Sequence, residues 1–108
     1  MTPKISSGIE GMKFRILPSG YRDLAESRDF YDLQEVGLGS YFLESIFAEI
    51  ESLRIYGGVH RKVFGYHRLL AKRFPYAIYY QMEDGIVMIF RILDCRSEPG
   101  KIRLALTK

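Results

Sequence analysis

Two periodicities divide the chain. Apolar residues recur at intervals of three and four between Tyr21 and Leu53, whereas from Lys62 to Cys95 they alternate or run on without interruption. The first pattern predicts helices and the second strands. Ahead of both, "MKFRIL" from Met12 alternates as a short strand and stops at Pro18, Ser19 and Gly20. Tyr21, Leu24, Ala25, Arg28 and Tyr31 then share one face of a first helix, with Arg28 its one polar member. Arg22, Asp23, Glu26 and Asp29 form the opposite face, which reads as solvated and carries no catalytic assignment. The glycines of "EVGLGS" interrupt this helix. A second helix has Ser40 near its start and a stripe of Leu38, Phe42, Ile46, Ile50 and Leu53, widened by Leu43 and Phe47, before "YGG" ends it. Two such helices joined by a short loop form an antiparallel hairpin.

Four strands are predicted after it: "KVFGY", then residues 68–74, 76–83 and 86–95. Asp84-Gly85 between the last two suits a two-residue hairpin turn, in which both positions need positive φ. An unbroken ladder from that turn would set Tyr80 opposite Ile89 and Tyr76 opposite Leu93. Pro75 cannot donate a ladder hydrogen bond and belongs at a strand start or bulge. "IVMIFRIL" is apolar on both faces apart from Arg91 and reads as a central strand covered on each side. "RSEPGKIRLALTK" reads as a turn and a short basic tail. The order is therefore one N-terminal strand, two helices, then about four strands. It predicts an α+β fold with the helical hairpin packed on one face of a largely antiparallel sheet of about four to five strands.

The chain of 108 residues is one domain long, and 47% apolar residues suffice for a single modest core. Residues 12–108 are expected to form that domain, with residues 1–11 either a tag or extension or native. No apolar run is long enough to span a bilayer, and "MTPKISSGIEG" lacks the apolar stretch of a signal peptide, so a cytoplasmic location away from membranes is expected. Cys95 is the only cysteine, and His60 and His67 are the only histidines. A disulfide within the chain is excluded, and no metal site or cofactor is expected. Charge is segregated: residues 1–55 carry six Lys and Arg against nine Asp and Glu, and residues 56–108 carry ten against four. A basic half of this kind favours an acidic macromolecular partner.

Several stretches in order resemble one family. "DLQEVGLGSYFLESI" with its "GLG..FL" turn, "KRFPYAIYY", the Asp84-Gly85 turn and "LDCRSEP" are similar to the RelE/ParE superfamily of bacterial type II toxin–antitoxin toxins, over most of residues 12–103. The resemblance, which extends to plasmid stabilisation proteins, implies a small RelE/ParE-like domain, growth inhibition, and a cognate antitoxin encoded beside it. It implies one of two routes: binding and poisoning of DNA gyrase in ParE-like members, or cleavage of mRNA on the ribosome in RelE-like members. A third possibility is a non-toxic member acting only as a binding module, suggested by Ser97 and Lys101, where relatives commonly carry arginine and often tryptophan. After Arg96 the chain has no Tyr or His, so the terminal acid/base residue usual in RelE-like nucleases is missing. The ParE-like route is thereby favoured, with the protein more a binder than an enzyme, and monomer and dimer both remain open.

Candidate site residues follow. Arg96 matches the family's C-terminal arginine; in a nuclease it would stabilise transition-state charge, in a binder it would contact an acidic partner, and otherwise it forms a surface salt bridge. Arg68 and Lys72 would share one strand face and Arg73 the other, as a phosphate-binding stripe or as guards of a sheet edge. Lys101 and Arg103 extend the basic set. Arg91, with Arg68, Lys72 and Arg96 a candidate source of positive charge in a nuclease, would lie on the side of Ile89 and Leu93 and must reach solvent or a carboxylate such as Asp94 or Glu98. His67 is the candidate general base of an endoribonuclease, replacing the missing terminal residue. Tyr76, Tyr79 and Tyr80 are assigned to the core and sheet faces. "GLGSYF" lacks the strand and third glycine of a nucleotide-binding loop.

Overall fold

A computed structural model describes residues 12–107; the segment 1–11, read above as a tag or extension, lies outside them. The elements are β1 (Lys13–Ile16), α1 (Pro18–Gln34), α2 (Leu38–Tyr56), β2 (Lys62–Val63), β3 (Tyr66–Leu70), β4 (Tyr76–Glu83), β5 (Ile86–Asp94) and α3 (Pro99–Leu106). The five strands form one sheet in the order β1-β5-β4-β3-β2. β1 runs parallel to β5 and every other pair is antiparallel. The α1–α2 hairpin covers one face.

Pro18 opens α1 at a position where its missing N–H costs nothing. Gly37, at φ 91°, turns the chain between the helices. Gly39 brings them together: a Cβ there would sit 2.4 Å from the Arg28 carbonyl oxygen, and its N–H donates to Asp32 Oδ1 at 2.7 Å. The α2 stripe delivers Phe42, Ile46, Ile50 and Leu53 to the core with no exposure. They meet Leu24 and Tyr31 of α1 and the sheet residues Ile78, Tyr80, Val87, Ile89 and Ile92. Two hairpins turn through positive φ, at Asp84-Gly85 and at Phe64-Gly65.

The β4–β5 ladder is not uniform. Tyr80 faces Ile89 as the turn demands, but Tyr79 then faces Arg91, so Phe90 is an extra residue in β5. Each later residue is shifted by one: Tyr76 faces Asp94, and Leu93 faces Ala77 rather than Tyr76. The shift has a clear cause. An unbroken alternation would place Arg91 in the core beside Ile89; the bulge places Ile92 there instead, at 1% exposure, and turns Arg91 to the outer face.

Two other expectations change. The strand expected over residues 68–74 is Tyr66–Leu70, so Lys72 and Arg73 lie on the β3–β4 loop and not on strand faces. The tail expected after Arg96 contains α3, which lies over the outer face of the sheet. Leu106 packs there with Ala77 and Tyr79, flanked by Tyr66, Leu93 and Ile102, and the Tyr66 hydroxyl donates to the Leu106 carbonyl at 3.1 Å. Pro99 at its first turn and Ile102–Leu106 spacing supplied the helix signal, and Gly100 obscured it.

Candidate functional site

Arg91 is the most constrained of the candidate cations. β1 ends at Ile16, and beyond it the start of α1 serves the β5 edge. The Leu17 N–H donates to the Ile89 carbonyl at 2.9 Å and the Ser19 hydroxyl to the Phe90 carbonyl at 2.6 Å. Asp23 completes the series by accepting the Ile92 N–H at 2.9 Å. The same carboxylate accepts Nε and Nη2 of Arg91 at 2.7 and 2.9 Å, while Nη1 donates to the Ala105 carbonyl at 3.1 Å. Asp23 is therefore buried and not on a solvated face, and it, rather than Asp94 or Glu98, is the partner of Arg91. The hydrogen bonds that Arg91 donates to Asp23 raise the guanidinium pKa further against the opposing effect of burial. Arg91 fastens α1, β5 and α3 together and leaves little charge to offer a ligand.

Arg96 makes a different pair. Its Nε and Nη2 donate to both oxygens of Asp94 at 3.0 and 2.7 Å, and its N–H donates to Oδ1 at 2.8 Å. These hydrogen bonds lower the Asp94 carboxyl below its ordinary value, against partial desolvation. The guanidinium itself stays 63% exposed, so it can exchange Asp94 for an acidic partner at little cost. The Cys95 N–H donates to the Pro75 carbonyl at 2.7 Å, which brings the segment carrying Arg96 beside the loop carrying Lys72 and Arg73. These three exposed cations border one end of the sheet.

Arg68 stands apart on the outer face, where it faces Tyr79 in register and lies beside its hydroxyl. Burial raises the Tyr79 pKa and Arg68 moderates the rise. Lys101 and Arg103 are exposed on α3, with Arg103 5.9 Å from the centre of the Phe64 ring. The basic residues thus occupy three places, not one stripe: the loop end, the outer face and the back of α3.

His67 points to the helical side. Its ring stacks on Tyr80 with centroids 5.0 Å apart, and its Nδ1 bonds the His60 carbonyl. The Tyr80 hydroxyl accepts the Gly58 N–H at 2.9 Å and bonds Nδ1 of His60. Burial, followed by repulsion from His67, lowers the His60 pKa, with Glu49 opposing. The three residues weighed for catalysis are consequently dispersed. His67 and Arg91 lie on opposite faces and two strands apart, a lateral spacing of about 10 Å, and Arg96 lies beyond the end of β5.

Two of the concave surfaces border the helices. A groove of about 200 Å³ runs along the solvent side of the helical hairpin between Tyr21, Ala25 and Arg28 of α1 and Leu43 and Phe47 of α2. A cleft of about 430 Å³ lies between Tyr66, Phe90 and the end of α3. Among the described residues, no group of three or more His, Cys, Asp or Glu side chains is placed to hold a metal ion, and no helix is long and apolar enough to cross a membrane.

No protein-family model matches the sequence, and no curated protein matches it. A solved structure does: a chain of "Chromosomal ParDE TA system from P. aeruginosa" is similar with a TM-score of 0.68 and 17% identity, over 77% of this chain and 95% of that chain. The fold is RelE/ParE-like. Within this RelE/ParE-like fold, the helical hairpin and the Asp84-Gly85 turn stand where their residue patterns put them, and β5 is an interior strand, between β1 and β4. The Asp23–Arg91 clamp and the His60–Tyr80–His67 cluster were not legible. Each joins residues distant in sequence, and the sole hint of the first was an arginine interrupting an apolar strand.

Proposed function

We propose that the protein is the toxin of a type II toxin–antitoxin pair and that it acts, ParE-like, by binding DNA gyrase, with a cognate antitoxin neutralising it. The observation that carries this reading is the fold shared with almost the whole of a chain from a ParDE TA system. The dispersal of His67, Arg91 and Arg96 supports binding over nuclease chemistry, because general acid–base catalysis needs its groups within hydrogen-bonding reach of one substrate. Closure of the outer face by α3 supports it too, since Ala77 and Tyr79 at the centre of that face are 0% and 2% exposed.

The helical groove suits an amphipathic antitoxin helix, its apolar floor set beside acidic α1 and reached by Arg28. Lys72, Arg73 and Arg96 suit an acidic target surface, with Arg68, Lys101 and Arg103 as a second basic region. The protein would act in the cytoplasm, where gyrase and antitoxin both are.

One observation favours the second reading, a ribosome-dependent mRNA endoribonuclease. The His67 Nδ1 is anchored by the His60 carbonyl, which fixes the ring beside Lys62 and Gln81 and leaves Nε2 for proton transfer. Induction of the protein with and without a small acidic reading frame sought beside its gene, followed by parallel assays of supercoiling and mRNA cleavage, separates the readings. The ParE-like reading expects arrest relieved by the neighbour and loss of gyrase supercoiling. Intact supercoiling at excess protein overturns it; mRNA cleavage abolished by His67→Ala supports the nuclease, and harmless expression without the neighbour supports a non-toxic binding module.

A further inference from the structure

The two most exposed large apolar side chains of the described residues stand together at one end of the molecule. Leu33 and Val36, at the turn between α1 and α2, are 89% and 96% exposed, and Phe30 and Tyr41 beside them are half exposed. Ring contacts make this surface continuous: Phe30 meets Tyr31 with centroids 5.1 Å apart, Tyr31 meets Phe74 at 5.0 Å, and Phe74 meets Tyr41 at 5.6 Å. The patch thus spans the tip of the helical hairpin and the β3–β4 loop. Its four exposed side chains present roughly 500 Å², near the top of the range of about 300–600 Å² for the largest patch on a monomer. Charge borders it on two sides. Glu35 is exposed on the helical side, between Leu33 and Val36, and Arg73 is exposed on the sheet side, next to Phe74. Neither has an ion-pair partner among the described residues. Arg96 joins Arg73 on that side, beside the Tyr31 hydroxyl and 63% exposed.

The geometry points to a two-fold symmetric contact between two copies of this chain across the patch from Phe30 to Tyr41. A two-fold interface places each half of a surface against the other half of its copy. With the axis through the line of rings, Glu35 of each copy meets Arg73 of the other, while Phe30, Leu33, Val36 and Tyr41 leave water together. A partner of one sign would satisfy one border and be repelled by the other. A second copy satisfies both. A standard interface takes about 800 Å² from each partner, which the patch approaches once its charged borders are included. The contact uses no residue that lines the helical groove, and it does not rest on a toxin function. Where that function holds, self-association and an acidic target compete for Arg73 and Arg96.

Sedimentation velocity of the whole chain between about 1 µM and 1 mM tests the contact. A reversible monomer–dimer equilibrium is expected, with a dissociation constant of about 10–100 µM that rises with salt. Leu33→Asp with Val36→Asp, both at exposed positions, should leave monomer throughout. Glu35→Arg and Arg73→Glu should each weaken self-association about tenfold by setting like charges against each other. An equimolar mixture of those two variants should recover the wild-type equilibrium, because every charge at the border then meets its opposite. Native far-ultraviolet dichroism in each variant keeps loss of association distinct from loss of fold. Monomer at every wild-type concentration, which would leave the patch to a different protein, overturns the proposal. So does a dimer that survives Leu33→Asp with Val36→Asp, or a mixture no better associated than either variant alone.

Discussion

At the scale of single residues, Asp23 carries more of the structure than its place on a charged helix face suggests. One carboxylate satisfies the Ile92 N–H and two Arg91 nitrogens, and Arg91 in turn holds the end of α3. Removing it strands a backbone donor and a guanidinium together. Asp23→Ala is expected to cost about 3 kcal/mol, the low end for a broken buried pair because Arg91 can still reach water. Urea denaturation with a double-mutant cycle against Arg91→Ala measures it, and a coupling near zero would show the clamp to be idle. His60 makes a pH-dependent contribution. Its folded pKa lies below the ordinary 6.5, so the native state binds fewer protons than the unfolded chain through that window. The associated stability is fully present above pH 6.5 and is lost as pH falls through the folded value. The urea midpoint is expected to drop between pH 7.5 and 5.5, and His60→Gln to flatten that part of the slope.

At the scale of elements, glycine and proline explain where helices begin, end and touch. Gly39 is the tightest contact, because a methyl group there would collide with the Arg28 backbone carbonyl as well as with the Asp32 carboxylate, and the backbone cannot swing aside. Gly39→Ala therefore forces the helices apart. A loss of about 1–3 kcal/mol is expected, the usual range for overpacking, read as a lower thermal midpoint with helix content retained. The β5 bulge is the other element-level device. It reverses the facing of everything after Phe90, and it lets one strand bury Ile89 and Ile92 on the same side while excluding Arg91. Alternation in the sequence runs straight through that point, which is why Tyr76 was matched to Leu93 and Arg91 to the wrong face.

For the molecule as a whole, α3 decides what the sheet can offer. Eight residues are too few for a stable isolated helix, so α3 exists by packing Ile102 and Leu106 on Ala77 and Tyr79. Truncation after Cys95 is expected to expose that outer cluster and leave the larger core intact. Increased binding of an apolar dye with native-like far-ultraviolet dichroism is the expected signature; full unfolding would show that the two clusters are one cooperative unit. Charge segregation also acts at this scale. Six cations of the basic half are divided by tertiary structure into the loop end with Lys72, Arg73 and Arg96, the sheet-face Arg68, and α3 with Lys101 and Arg103.

The sequence by itself determined the strand–helix–helix–strands order as far as β5, the Asp84-Gly85 turn, the apolar stripe of α2 and the α+β class, because periodicity and turn chemistry act over a few residues at a time. It also carried the resemblance to RelE/ParE toxins, through motifs that are contiguous. Only the tertiary structure decided the bulge at Phe90, the pairing of Arg91 with Asp23, the dispersal of His67 from the arginines and the folding of the last segment over the sheet. Each of these depends on groups far apart in the chain, and each settles where a charged side chain can go once burial has closed the alternatives.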